Sequence, residues 1–277
     1  MVPHTLHQSR SEQPRCASVT RARIGEWNIE LLPRTPYAVQ YVSEHPIIGF
    51  SFETQFGKHA FASDRKTTFC AMPNGLACVP AGCDVYSESD TGGEYLRIVC
   101  SSHSQHASKL KNQFSGVIHS SAIEAAFVLR RALLKNESQS HLLECEHALL
   151  VLEACASQPQ HNAFEQSPEK VWMTSARLKR IDDLIDAQLE FSLSVGEIAS
   201  EFGLSTAYFS RQFKKAIGRA PHQYIVDKRL TRARQLLQQT AQDLTSVAFS
   251  CGFASHSHMT EQFRRRLGVT PKQLRGS

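Results

Sequence analysis

Arg211, Lys214 and Lys215 stand close together near the C-terminus, and Arg264, Arg265 and Arg266 stand at the corresponding place some fifty residues later. A guanidinium is a planar fork of N–H donors that fits a phosphate or the O6/N7 edge of guanine, and an ammonium is a compact charge that suits phosphate. Just ahead of each basic run lie side chains of the kinds that read base edges. They are Ala207, Tyr208, Ser210 and Arg211 in the first segment and His256, Ser257, Thr260 and Glu261 in the second. Lys214, Lys215, Arg264 and Arg265 are the phosphate candidates. Other chemistry finds little support. Of eight cysteines (Cys16, Cys70, Cys78, Cys83, Cys100, Cys145, Cys155 and Cys251), none form C-x-x-C. They read as reduced core residues, with a redox or metal role for Cys70, Cys78 and Cys83 as the lesser alternative. His59 stands alone, and His103 and His106 fall in a polar SSHSQH stretch read as a loop. No Walker loop, nucleophile elbow or zinc-protease motif occurs, so no catalytic residue, metal or cofactor is expected.

The elements that position these side chains are two copies of one unit. VGEIASEFGLSTAYFSRQFKKAIGRAP runs from Val195 to Pro221, and LTSVAFSCGFASHSHMTEQFRRRLGVTP from Leu244 to Pro271. Ile198-Ala199, Gly203 and Leu204 recur as Val247-Ala248, Gly252 and Phe253 at an offset of 49; Phe213, Lys214, Gly218 and Pro221 recur as Phe263, Arg264, Gly268 and Pro271 at an offset of 50. The change of offset implies one residue inserted near the start of the last long helix. In each copy a short helix ends at a glycine that accepts a left-handed backbone. A second helix follows, with Ser205 or Thr206 as its cap and one apolar stripe: Phe209, Phe213 and Ile217 in the first copy, Met259, Phe263 and Leu267 in the second. The residues off that stripe are the candidate readers. A helix, a glycine turn and a second helix with its outer face free to enter a major groove is the geometry of a DNA reader.

Charge is divided along the chain. From Phe202 to Ser277 there are 13 Lys+Arg and 3 Asp+Glu, net +10, whereas residues 1–170 carry 15 basic and 17 acidic residues, net −2. The whole-chain +5 conceals this split. A surplus confined to one region is the electrostatic footprint of phosphate binding.

On these motifs the segment from about Val171 to Arg275 resembles the DNA-binding domain of AraC/XylS-type bacterial transcription regulators. The resemblance implies seven helices in two helix–turn–helix subdomains joined by a linker helix over Pro221 to Gln239, with both recognition helices entering successive major grooves. It places Arg211 against guanine, leaves Ala207 contact only with a thymine methyl, and makes Glu261 a departure, since relatives often carry a basic residue there. It also implies double-stranded promoter DNA and RNA polymerase as partners, a small-molecule effector, a homodimer and a cytoplasmic location, with no membrane partner.

The first half looks β-rich. Runs at Ala38–Val42, Ile47–Phe52, Leu76–Val79 and Tyr95–Val99 are separated by Pro- and Gly-containing turns, which suggests a small barrel or sandwich. Gly57-Lys58-His59-Ala60-Phe61 and Gly93-Glu94-Tyr95-Leu96 are reminiscent of the cupin-like sensor barrels of the same family. An antiparallel helical hairpin is expected over 118–156, one helix lined by Ala122, Ala125, Ala126, Leu129 and Leu133, the other by Leu142, Leu143, Leu149, Leu150 and Leu152, with a turn at Asn136 to Ser140. It either covers the barrel or dimerises. The expected organisation is α+β: a disordered tail (1–19), a cupin-like sensor or dimerisation domain (20–156), a flexible linker (157–170) and a double helix–turn–helix domain (171–277). No stretch of about 18 apolar residues and no secretory h-region is found. The reading is a non-enzymatic transcription regulator. Two alternatives stay open: a ligand-independent DNA-binding protein whose first half only dimerises, and a metal cupin enzyme fused to a DNA-binding domain. A DNA-repair methyl acceptor lacks its cysteine spacing here.

Overall fold

A computed structural model describes residues 19–101, 104–135, 141–158, 172–191 and 193–276. The fold is α+β: among the described residues, ten antiparallel strands in two sheets are followed by helices. The strands are β1 (Thr20–Ile24), β2 (Trp27–Leu32), β3 (Tyr37–Val42), β4 (Ile47–Ser51), β5 (Gln55–Phe61), β6 (Thr67–Ala71), β7 (Gly75–Val79), β8 (Asp84–Ser89), β9 (Tyr95–Cys100) and β10 (Phe114–Ile118). One sheet has the order β1-β2-β9-β4-β7-β10 and the other β3-β8-β5-β6.

Period-two alternation decides which face of the six-stranded sheet is dry. Ile29 and Leu31, Ile48 and Phe50, Leu76 and Cys78, and Leu96, Ile98 and Cys100 share one buried cluster with α1 (Ser120–Lys135) and α2 (Leu142–Ser157). Ala122, Ala125 and Ala126 line α1 as expected and keep it close to its partners. The α2 lining departs from expectation. Leu149 and Leu152 are buried, but Leu142, Leu143 and Leu150 are exposed, and Cys145, Ala148 and Ala156 take their places. Successive helical residues sit 100° apart, so a Leu-Leu pair cannot put both members on one narrow face. His106 lies in the loop after β9, as expected. It opens a short 3-10 turn (Ala107–Lys109), its Nδ1 lies 2.9 Å from Glu153 Oε2, and its ring lies against Trp27. His103, Cys16, the 136–140 turn, most of the N-terminal tail and most of the 157–170 linker lie outside the described residues.

Seven further helices follow among the described residues: α3 (Ser175–Ala187), α4 (Val195–Glu201), α5 (Thr206–Ile217), α6 (Pro221–Gln239), α7 (Leu244–Ser250), α8 (His256–Leu267) and α9 (Pro271–Gly276). Side-chain caps start most of them. Thr174 caps α3, Ser194 and Glu197 form a reciprocal capping box on α4, and Asp243 caps α7. The helices surround two separate cores. Ile181, Ile198, Phe209, Phe213 and Ile217 fill the first, and Val247, Met259, Phe263 and Leu267 the second. Helix α6 serves both, giving Tyr224 and Ile225 to the first and Val226, Leu230, Ala233 and Leu237 to the second.

The β-region and the helical region are packed together. Asn74 Nδ2 donates to the carbonyl of Ile217 at 2.9 Å, Thr54 Oγ1 and the Tyr224 hydroxyl are 2.9 Å apart, and Thr231 Oγ1 donates to Glu53 at 2.7 Å. Between them Glu94, 3% exposed, is held by Arg130 of α1 on one side and Arg234 of α6 on the other. Burial pushes the Glu94 carboxyl up, but the two guanidiniums outweigh it and hold it below the ordinary value of 4.5.

Two outcomes are expected. A carboxylate with a depressed pKa stabilises the fold above its unfolded value, and the contribution is lost as pH falls through the folded value. Glu94→Gln should therefore cost about 3–5 kcal/mol at neutral pH, because it strands two buried arginines. Denaturant titrations from pH 7 downward should show that gap closing only as pH falls below the ordinary carboxylate value of 4.5; a gap that stays constant with pH refutes the carboxylate's role. The two turn glycines should also differ. Both have positive φ, +65° at Gly203 and +75° at Gly252, but a Cβ on Gly203 meets nothing within 4 Å, while one on Gly252 would lie 2.1 Å from the Leu189 carbonyl oxygen. Gly203→Ala should cost about 1–2 kcal/mol of backbone strain, and Gly252→Ala clearly more in the same unfolding assay; equal costs would show that the loop yields freely.

Candidate nucleic-acid interface

Each recognition helix is built the same way. Ser205 caps α5 by accepting from the Tyr208 amide, which settles the choice between Ser205 and Thr206, and Ser255 caps α8 by accepting from the His258 amide. Phe209, Phe213 and Ile217, like Met259, Phe263 and Leu267, are fully buried and fix each helix's rotation. That rotation leaves Ala207, Tyr208 and Arg211 of α5 exposed and Ser210 half-buried. On α8 it leaves Ser257 and Glu261 exposed, with His256 and Thr260 half-buried. Thr260 Oγ1 and His256 Nε2 lie 3.3 Å apart, so these two candidates meet each other across one helical turn.

The inserted residue is located by the helix boundaries. α4 and α7 begin 49 positions apart and α5 and α8 begin 50 apart. Gly203 and Leu204 match Gly252 and Phe253, and the caps Ser205 and Ser255 are already at the longer offset. The extra residue is Ala254, in the turn just before α8 rather than within it.

The basic runs divide. Lys214 and Lys215 in the last turn of α5, and Arg264 and Arg265 in the last turn of α8, are exposed. Cations here also complement the negative end of the helix dipole. Arg266 turns inward: its Nη1 donates to Asp227 Oδ1 at 3.1 Å, and its side chain is 12% exposed. Sequence reading missed this ion pair, together with Arg219–Asp227 at 2.9 Å and Lys228–Asp186 at 2.8 Å. It also missed the position of α3, although the spacing Leu178, Ile181, Ile185 was available as a signal.

The other chemical candidates are packing residues. His59 stacks on Phe69 with ring centroids 4.9 Å apart, and burial lowers its pKa. Burial pushes the Cys78 thiol up to about 12 and the Cys70 and Cys251 thiols up to about 11, which suppresses the thiolate that redox or metal chemistry requires. Among the described residues no group of three or more His, Cys, Asp or Glu is placed to hold a metal ion. None of the described helices is long and apolar enough to cross a membrane. A cavity of about 540 Å³ lies between the β-region and the helices, lined by Arg34, Glu53 and Thr54 on one side and Lys228, Thr231 and Arg232 on the other.

Comparison with known proteins agrees with this geometry. A family model described as a helix-turn-helix domain matches residues 198–277. The HTH-type transcriptional regulator ArgR of Pseudomonas aeruginosa is 39% identical over 92 residues, which are 33% of this chain and 28% of that protein. The HTH-type transcriptional activator RhaS of Escherichia fergusonii is 36% identical over 102 residues, 37% of each chain. The chain thus spans about a third of the length of these relatives. Among solved structures, an AraC-type regulator from Chromobacterium violaceum matches 36% of this chain and 90% of its own at 36% identity, with a TM-score of 0.35. Two tandem helix–turn–helix units on one shared helix are thus what the helix-turn-helix domain model matches over residues 198–277, and HTH-type transcriptional regulators are similar to this chain over the same region.

Proposed function

We propose that the chain is a sequence-specific DNA-binding transcription regulator whose two recognition helices read two blocks of one promoter site. The observation that carries this is the repeat: α5 and α8 each turn a buried stripe inward, a polar face outward (with Arg211 on α5 and Glu261 on α8) and a basic last turn toward solvent. Ala207, Tyr208, Ser210 and Arg211, and His256, Ser257, Thr260 and Glu261, are the base readers. Lys214, Lys215, Arg264 and Arg265 hold phosphates. RNA polymerase is the downstream partner, and the chain works in the cytoplasm as a homodimer.

The sensing role falls to the β-region. An effector regulates only if it binds one arrangement of the two regions better than another. The cavity lined by Arg34 and Glu53 from the β-region and by Lys228 and Arg232 from α6 supports such a role, because a ligand there touches both. The direct test of the DNA reading is selection from a random duplex pool by the purified full-length chain. Two enriched blocks about one helical turn apart are expected; no enrichment, with the effector pool added or withheld, overturns the reading.

Two further outcomes follow from the assigned roles. Arg211→Ala should weaken the selected site by about 1–3 kcal/mol, roughly five- to 150-fold, and random DNA far less. Equal losses on both, measured by fluorescence anisotropy, would mean that Arg211 touches only phosphate. With four phosphate-directed cations, log K should fall by about 3–4 per decade of salt. An affinity that ignores salt would sink the interface assignment.

A further inference from the structure

Asp227 sits where α6 leaves one core and enters the other: Ile225 is buried in the first, Val226 in the second. Its two carboxylate oxygens point to different units. Oδ2 accepts from Arg219 Nη1 at 2.9 Å, and Oδ1 accepts from Arg266 Nη1 at 3.1 Å. Arg219 directly follows Gly218, the residue that caps α5, and Arg266 lies in the last turn of α8. One carboxylate therefore ties together the C-terminal ends of both recognition helices. The three side chains are only 12–20% exposed, so little solvent screens them. The Arg219 guanidinium also lies 4.3 Å from the Phe127 ring centroid, which fixes its direction.

The electrostatics make the carboxylate decisive. Arg219 and Arg266 are like charges drawn to the same point, and only the negative charge between them makes their approach favourable. Take that charge away and the contact between the ends of α5 and α8 turns repulsive. The two apolar cores share α6 and also rest on residues of α1 and the β-region, but those apolar contacts bring no charge to offset the repulsion between the two guanidiniums.

We propose that Asp227 is a positioning residue that sets the orientation of one recognition helix relative to the other, and thereby the base-pair spacing between the two blocks of DNA that the chain accepts. Asp227 touches no base and no phosphate in this role; it acts through Arg219 and Arg266. The consequence for specificity rests on the DNA-reading function proposed above, whereas the orientation itself does not. Each added base pair rotates one block relative to the other by about 35° and lengthens the gap. A rigid pair of readers rejects the wrong spacing, and a loosened pair tolerates it at lower affinity for the right one.

The test uses the full chain carrying Asp227→Asn, which keeps the side chain's shape and removes its charge, and in parallel Arg266→Met, which removes only the arm to the second unit. Two readouts are taken. The first is the distance distribution between spin labels attached through non-canonical side chains at Glu201 and Thr245, exposed positions on α4 and α7. It needs no DNA, and both variants should broaden or shift it. The second is affinity for the selected site, for the same site with one base pair inserted or deleted, and for a duplex bearing one block. The unaltered chain should lose about tenfold or more on a spacing change. The variants should lose less than about threefold while binding the single block as the unaltered chain does. An unchanged distance distribution in both variants overturns the proposal, as does undiminished discrimination between spacings. A broadened distribution in a chain that selects no DNA site would refute the DNA reading while leaving the positioning role of Asp227 standing. Arg264→Met, an exposed neighbour outside the ion pair, should leave the distances unchanged; if it broadens them equally, the effect belongs to the α8 basic run in general and the assignment to Asp227 fails.

Discussion

Helix α6 has one circumference and uses nearly all of it. From Tyr224 to Gln238 only Arg232 is exposed. One side completes the first helical core, the next completes the second, and Thr231 and Arg234 face the β-region. Two units that each form a core too small to be generous in stability gain by sharing a rigid wall. A consequence of the sharing is that α6 cannot shift toward one partner without disturbing the other two. Pro221 at its first turn and the separate caps on α5 and α7 set its ends independently of those contacts.

The ions that surround α6 are better understood as fixing geometry than as supplying stability. A buried pair recovers its desolvation cost only with good partners, and the net gain over apolar packing is small or negative. What Glu94 and Asp227 provide is discrimination among arrangements. Each is paired with two arginines on different elements, Glu94 with those of α1 and α6 and Asp227 with those at the end of α5 and on α8. Apolar surfaces tolerate small slides; a carboxylate between two guanidiniums does not.

The legibility of the chain follows the range of its interactions. The double unit was readable because its signals are local and occur twice: a glycine, a serine cap and a three-residue apolar stripe within some twenty positions. Even the inserted residue was visible as a change of offset, although only the helix boundaries identify it as Ala254. The β-region was readable as a class and poorly readable in detail. β4, β7 and β9 show through their apolar runs, whereas β1, with the sequence TRARI, is an edge strand with an arginine at every second position and only Ile24 buried. The leucine pairs of α2 misled because composition says nothing about which member of a pair faces inward. The ion pairs were illegible for the plainest reason: Glu94 and Arg234 are 140 positions apart, and no local pattern announces such a meeting.

Helix α1 leans on the ends of both recognition helices. A Cβ on Gly218, the cap of α5, would come within 2.5 Å of Ile123 Cδ1, and one on Gly268, the cap of α8, within 2.7 Å of Lys135 Cε. At Gly218 the absence of a side chain is what allows Ile123 of α1 and Ile118 of β10 to lie against the cap, whereas at Gly268 the contact is with the movable end of Lys135. The two halves look interchangeable in outline, a sheet domain and a reader, but they share a moulded surface. Joining this helical region to a foreign β-region would leave a hollow at the Gly218 cap, and a bulkier residue in place of Gly218 would press on Ile123 and Ile118. The boundary that a designer of chimeric regulators would cut is therefore not the segment that joins the halves but the face of α1.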